Sequence, residues 1–165
     1  MTAPLIRMAT ERDIERLILL YKAFHEFHVA GMPERLRVPE HYDIPLFQTT
    51  ISDFIQRPDV ALFVAEQEED LIGFVEVHIR ETPLDNAVVH YRYGHVQSLM
   101  VAAQYRNAGL GSTLLRAAKE WAISQSIFQL RLDIWEFDAG PLHFYERLGF
   151  HTVKREMAID ISDMK

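Results

Sequence analysis

Between Gln97 and Glu136 the chain passes from an apolar extended run, "QSLMV", through "AAQYRNAG" into the helical pattern "LGSTLLRAAKEWAISQ", and then into a second extended run, "FQLRLDIWE". Two strands joined through a helix are not hairpin partners. A connection of this kind makes them parallel, with the helix on one face of their sheet. It excludes an all-helical bundle and a purely antiparallel sheet. Leu110, Leu114, Leu115, Ala118, Trp121 and Ala122 lie on one helical stripe, which is the face expected to meet that sheet.

The upstream elements extend this unit. "PLIRMA" reads as a first strand stopping at Thr10, and Asp13 three residues later completes a capping signal. A first helix is expected from Glu11 to His28, with Ile14, Leu17, Ile18 and Tyr21 at helical spacing. The next stretch holds Gly31, Pro33, Pro39 and Pro45, so it is a connector, and its His41 and Tyr42 are candidates for substrate contact. Helical periodicity resumes in "LFQTTISDFIQR". "VALFVAE" and "LIGFVEVHIR" form a hairpin around "QEED", and "AVVHYRYGHVQSLMV" is a third extended run. Strict alternation in that run places His95, Gln97, Leu99 and Val101 on one face, with Val96, Ser98 and Met100 on the other. After the crossover, "AGPLHFYERLGF" reads as a short helix closed by Gly149, and "HTVKREMAIDI" as a last strand. No repeat or low-complexity tract interrupts what reads as one domain over residues 1–165.

Composition narrows the function classes. With no cysteine, disulfides, thiolate metal sites and cysteine nucleophiles are all excluded. A formal net charge of -7 without a basic run argues against broad phosphate neutralisation, and so against a nucleic-acid partner. No stretch is long and apolar enough to cross a bilayer, and the N-terminus lacks a cleavable leader pattern, so a soluble cytoplasmic protein is expected. Nothing in the pattern calls for a metal.

The glycine segment carries the chemistry. A helix that starts near Gly109 presents free N–H groups and the positive end of its dipole, which together suit an anion. Gly109 and Gly111 would let a phosphate approach the backbone, or would serve only as turn and packing residues. No lysine follows Gly111, as a P-loop requires, and the three glycines and acidic ribose ligand of a dinucleotide fold are absent.

"LMVAAQYRNAGLGSTLL" resembles the pyrophosphate-binding segment of the GNAT superfamily of acyl-CoA N-acyltransferases, whose pattern [QR]-x-x-G-x-[GA] is filled by Arg106, Gly109 and Gly111. "FDAGPLHFYERLGF" resembles that superfamily's second segment, N-x-x-A-x-x-F-Y-E-x-L-G-F, departing from it at Asp138 and Pro141. The resemblance spans Gln97 to Phe150 and implies an α/β fold: a central mixed, mainly antiparallel sheet flanked by helices, with one splayed parallel pair. It implies that acyl-CoA lies in a wedge between the strand ending at Val101 and the strand from Leu130 to Trp135. The backbone of Leu99, Met100 and Val101 would pair with pantetheine. The amides of Asn107, Ala108, Gly109, Leu110, Gly111 and Ser112 would meet the pyrophosphate beside Arg106. Asp138 is assigned either to the cofactor or to capping a helix that starts at Ala139.

The same resemblance makes Tyr145 the general acid toward the coenzyme sulfur, and N–H groups near Met100 and Val101 the polarising donors for the thioester carbonyl. An amine is mostly protonated at neutral pH, so a base is useful; His95, Glu76 or a water fills that role, with Asp133 and Glu136 as weaker options. The implied activity is acetyl-CoA-dependent N-acetylation of a primary amine by direct attack in a ternary complex. The acceptor would be a small molecule such as a polyamine, aminoglycoside or amino acid, or a peptide or protein amine. A non-catalytic acyl-CoA-binding regulatory module is the alternative. Homodimers are common in the superfamily, but no stripe in this sequence identifies an interface.

Overall fold

The "QEED" turn closes an antiparallel hairpin through left-handed backbone at Glu68 and Glu69, joining β2 (Val60–Gln67) to β3 (Asp70–Glu81). The computed structural model describes residues 3–161. β1 (Leu5–Met8) adds to the free edge of β2 and β4 (Arg92–Val101) to that of β3, both antiparallel, while β5 (Leu130–Arg131) lies parallel to β4. The result is a five-stranded mixed sheet in the order β1-β2-β3-β4-β5.

Helices cover both faces. α1 (Ile14–Gly31) and α2 (Ile44–Gln56) bury Leu17, Ile18, Leu20 and Ile51 against Leu62, Val64, Phe74 and Met100. On the other side α3 (Leu110–Ser124) and α4 (Leu142–Arg147) bury Leu110, Leu114, Leu115, Ala118 and Tyr145 against Val75, Val77 and Val96. Burial on both faces explains why β2 and β3 read as nearly continuous apolar runs instead of alternating ones.

Five expectations are corrected. The first helix opens with a 3-10 turn, Glu11–Asp13, becomes α-helical at Ile14, and continues past His28 to Gly31. The third extended run becomes a strand only at Arg92, and the strand after the crossover is two residues long instead of reaching Trp135. "HTVKREMAIDI" forms no strand, and residues 151–161 are exposed; an alternating segment makes a strand only where a sheet edge receives it. Finally, Glu76 pairs with Ser98 but Val77 pairs with Val96, so Gln97 is an extra residue, a bulge. This one-residue slip moves His95 off the face of Leu99 and onto that of His78, its partner across the ladder.

The start of α1 is fixed by a buried ion cluster. Asp13 is fully buried and accepts from Arg7 at 2.7 and 2.9 Å, from Arg16 at 2.7 Å and from the Thr10 N–H at 2.8 Å. Arg7 also donates to Glu66 on β2 at 2.7 Å, so its one guanidinium ties β1 to β2 and, through Asp13, to α1. The Arg7 guanidinium holds the Asp13 carboxyl far below its ordinary range. Asp13→Asn is expected to cost about 2–4 kcal/mol, because it strands two cations in a partly desolvated site, though both still reach some solvent. Urea unfolding against pH checks this: the wild-type advantage is complete above the ordinary carboxyl value of 3.8 and is withdrawn as pH falls below it.

Candidate active site

β4 and β5 form ladder pairs only at Gly94 with Leu130 and His95 with Arg131, where the Gly94 N–H also donates to the Gln129 carbonyl at 2.9 Å. Beyond His95 the two chains part, at the Gln97 bulge, where added bend and twist turn β4 away from its neighbour. The edge of β4 from Val96 to Val101 therefore faces a wedge with no strand on its far side among the described residues. Leu132 and Ile134 continue the opposite wall, half-buried, with Asp133 and Trp135 pointing outward.

At the mouth of the wedge, Asn107 (φ 62°) and Gly109 (φ 83°) are both left-handed. The first helical bond runs from the Thr113 N–H to the Gly109 carbonyl at 3.1 Å, so the amides of Leu110, Gly111 and Ser112 precede it and lead outward from the helix. The two glycines have different causes. A side chain at Gly109 would meet nothing within 4 Å, but its backbone is one that L-residues avoid. A Cβ at Gly111 would lie 3.1 Å from the Phe144 ring, so this glycine lets α4 pack on the first turn of α3. Arg106 donates from Nε to the Val101 carbonyl at 3.0 Å and lies 4.7 Å over the Phe27 ring, which ties the mouth to α1. Asp138 is exposed and caps nothing, since α4 begins at Leu142 with Pro141 at its cap.

The candidate acid and bases lie on opposite faces of the sheet. Tyr145, buried between Phe144 and Phe150, belongs to the α3 and α4 side, and desolvation pushes its hydroxyl up to about 12, so it stays protonated and able to donate. Glu76 and His95 belong to the α1 and α2 side. The Glu76 carboxylate accepts from the Tyr21 hydroxyl at 2.7 Å through Oε2 and meets His78 Nε2 at 2.5 Å through Oε1. His95 lies across the ladder from His78 with its Nε2 3.8 Å from Asp133, which brings the wall of β5 into the same group. Burial holds the His95 imidazole below its ordinary value, aided by Arg80 and His78 and opposed by Asp133 and Glu76. No cluster of three or more ligating side chains that could hold a metal occurs among the described residues.

Sequence reasoning missed Tyr21 and His78. Tyr21 sits on the apolar stripe of α1 and does pack 4.4 Å from Phe74; only the tertiary fold reveals that its hydroxyl also reaches Glu76. His78 was detectable as the residue two beyond Glu76 on the same strand, hence on its face. In the connector, the Tyr42 hydroxyl is shielded from solvent without a hydrogen-bond partner among the described residues, while His41 is exposed.

The sequence model of the acetyltransferase (GNAT) family matches residues 7–150. An N-alpha-acetyltransferase of Sulfurisphaera tokodaii is 29% identical over 155 residues, covering 90% of this chain and 81% of that protein. Among solved structures, a variant of the BH1408 protein from Bacillus halodurans superposes with a TM-score of 0.84 at 23% identity, covering 94% of this chain and 98% of that one. AAC(6')-Iy, solved with the bisubstrate analogue CoA-S-monomethyl-acetylneamine, gives 0.76 at 18% identity, covering 96% and 98%.

The Tyr21 to Glu76 bond has a measurable consequence. Tyr21→Phe keeps the ring packing but leaves a buried carboxylate oxygen without its donor, so unfolding free energy is expected to drop by about 1–3 kcal/mol in urea titrations. An unchanged midpoint would mean that the bond contributes nothing net.

Proposed function

Because the chain belongs to the acetyltransferase (GNAT) family, we propose that it is an N-acetyltransferase that passes the acetyl group of acetyl-CoA directly to a primary amine, with both substrates bound together. The observation that carries this reading is the unpaired edge of β4, flanked by Tyr145 on one face of the sheet and by Glu76 and His95 on the other. A single catalytic domain, cytoplasmic and paired with a second copy, completes the proposal.

Acetyl-CoA brings the activated thioester; the chain's own groups do the rest. The free main-chain groups of Leu99, Met100 and Val101 suit an extended amide-bearing arm, as another strand would. The amides from Asn107 to Ser112, gathered by two left-handed residues and a helix start, suit a pyrophosphate. The Arg106 guanidinium adds positive charge at the same mouth. Protonated Tyr145 supplies a hydrogen to the departing sulfur, and neutral His95, or Glu76 through a displaced His78, takes the proton from the amine. Acid and base on opposite faces do not quench one another.

The names of two relatives support an amine acceptor: one is an N-alpha-acetyltransferase, and the other binds an analogue joining CoA to an aminoglycoside fragment. A net charge of -7 steers cations toward the chain. The shielded, unpartnered Tyr42 hydroxyl offers a hydrogen bond to an acceptor beside α1.

An assay of acetyl-CoA consumption across peptides with free N-termini, aminoglycosides and polyamines tests the proposal. Saturable acetyl-CoA binding with no turnover on any of them would leave a binding module instead. Tyr145→Phe is expected to lower kcat about 100-fold while leaving acetyl-CoA affinity within a factor of about two. A second prediction concerns pH. A base must be unprotonated, and burial depresses His95, so kcat is expected to hold through neutral pH and to fall only below the ordinary imidazole value of 6.5. His95→Gln removes that limb if His95 is the base; a limb that persists excludes His95 as the base.

A further inference from the structure

The face of the sheet that carries Glu76 continues away from the wedge. His78 and Arg80 follow Glu76 on it at the two-residue period of β3. On β4 their ladder partners are His95 and Tyr93, and on β5 the partner of His95 is Arg131. Two neighbouring rows therefore cross the face: His78, His95 and Arg131, and beside them Arg80 and Tyr93.

Neither arginine answers a carboxylate. Arg7, Arg16, Arg57 and Arg92 each pair with an acid, whereas Arg80 and Arg131 form no ion pair among the described residues. Neutral groups hold them instead. Arg80 donates from Nη2 to Gln97 Oε1 at 2.7 Å, which draws its head back toward the bulge, and its charge is felt at His95. Arg131 donates from Nε to Gln129 Oε1 at 2.9 Å, and its guanidinium lies 4.6 Å from the Tyr93 ring centre and 4.9 Å from that of Tyr91. Both Nη groups of Arg131 have no hydrogen-bond partner among the described residues. Such a guanidinium is positioned without being neutralised, with its fork free for an anion.

The acids lie on the other side of His95. Glu76 is nearer the wedge along β3, closed off by Tyr21 and His78, and Asp133 is nearer the wedge beyond Arg131, its carboxylate 3.8 Å from His95. From the wedge outward the face runs from acids, through His95, to arginines. In a chain of net charge -7 the arginine end is a local reversal of sign. An ammonium suits one end and an anion the other. Two positions along a strand span about 6.6 Å and neighbouring strands about 4.8 Å, so both ends lie within reach of one short molecule.

Building on the N-acetyltransferase reading, we propose that the acceptor carries an anionic group, carboxylate or phosphate, a few bonds from its primary amine, with the amine at His95 and the anion held by Arg80 and Arg131. Gln97, Tyr91 and Tyr93 act as positioning residues for the two guanidiniums. Polycations such as polyamines and aminoglycosides meet two unneutralised arginines and are disfavoured.

The test measures kcat/KM on matched pairs: C-terminally amidated alanyl-glutamate against alanyl-glutamine, β-alanine against β-alaninamide, and 2-aminoethyl phosphate against ethanolamine. The wild type is expected to prefer the anionic member of at least one pair about 10-fold or more, mainly through KM. Preference in the first two pairs identifies a carboxylate, and in the third a phosphate. That preference is expected to fall to within a factor of about two in the Arg80→Gln, Arg131→Gln double variant, a comparison that cancels differences in amine reactivity. Arg92→Gln, exposed and on the opposite face by alternation, retains it. Arg80→Gln alone, at an exposed position, gives the readout if the double variant does not fold. A wild type without preference in any pair, or a preference that survives loss of the arginines, overturns the proposal and leaves the acetyltransferase reading standing. If no amine is turned over, calorimetry of the anionic members with the CoA-loaded chain separates the two readings: arginine-dependent binding keeps the anion site and rejects transfer, and no binding rejects the site.

Discussion

β4 is hydrogen-bonded along the length of one edge and at only two residues of the other, and the rest of the site depends on that asymmetry. Main-chain N–H and C=O groups do not stay unpaired without cost, so an abandoned edge beside a half-buried wall is a place where something other than a strand completes the ladder. The Gln97 bulge accounts for it in two ways. It bends β4 where β5 would otherwise continue beside it, and it resets the pleat so that His95 joins the face already occupied by Glu76 and His78. A single extra residue thus shapes the wedge and gathers the polar groups above it.

The sheet then acts as a partition. α3 and α4 present Tyr145 within an aromatic and aliphatic cluster, where desolvation keeps its proton on. α1 and α2 cover the other face and supply Tyr21, which holds a carboxylate that would otherwise be isolated among Phe74, Leu62 and Met100. Burial on its own side keeps the Tyr145 proton on, and the sheet separates it from the Tyr21 and Glu76 group. The Asp13 cluster contributes at a distance: by fixing β1, β2 and the start of α1 to one another, it fixes where Tyr21, two turns further on, meets β3.

Much of this was legible in the sequence, and the failures have physical reasons. Periodicity located the hairpin, the crossover helix and its buried stripe, because these depend on spacing within one element. The bulge was not legible, since Gln97 looks no different from a residue in a regular ladder; its effect lies in how β4 aligns with β3. The glycines of "NAGLG" stood out as a pair, but their separate causes did not. Gly109 answers to its own φ, whereas Gly111 answers to Phe144, a residue beyond both the crossover helix and β5. Arg106 was expected to face either solvent or a ligand and instead reaches back to the Val101 carbonyl and Phe27, contacts that no local pattern encodes. "HTVKREMAIDI" was expected to form a last strand and forms none, because a strand needs a partner that the segment's own composition does not specify.

On the proposed function, the division between backbone and side chain also separates the two substrates. Most of what lines the wedge and its mouth is main chain: an unpaired edge, amides at a helix start, and left-handed residues that aim them. Such features survive almost any change of sequence that preserves the glycines and the bulge. The α1 and α2 side presents side chains instead, from Tyr42 in the connector to the Tyr21, Glu76 and His78 group. On the reading proposed above, acceptor selectivity belongs to the α1 to α2 connector and the side chains beneath it, and not to the glycine segment that makes the family recognisable.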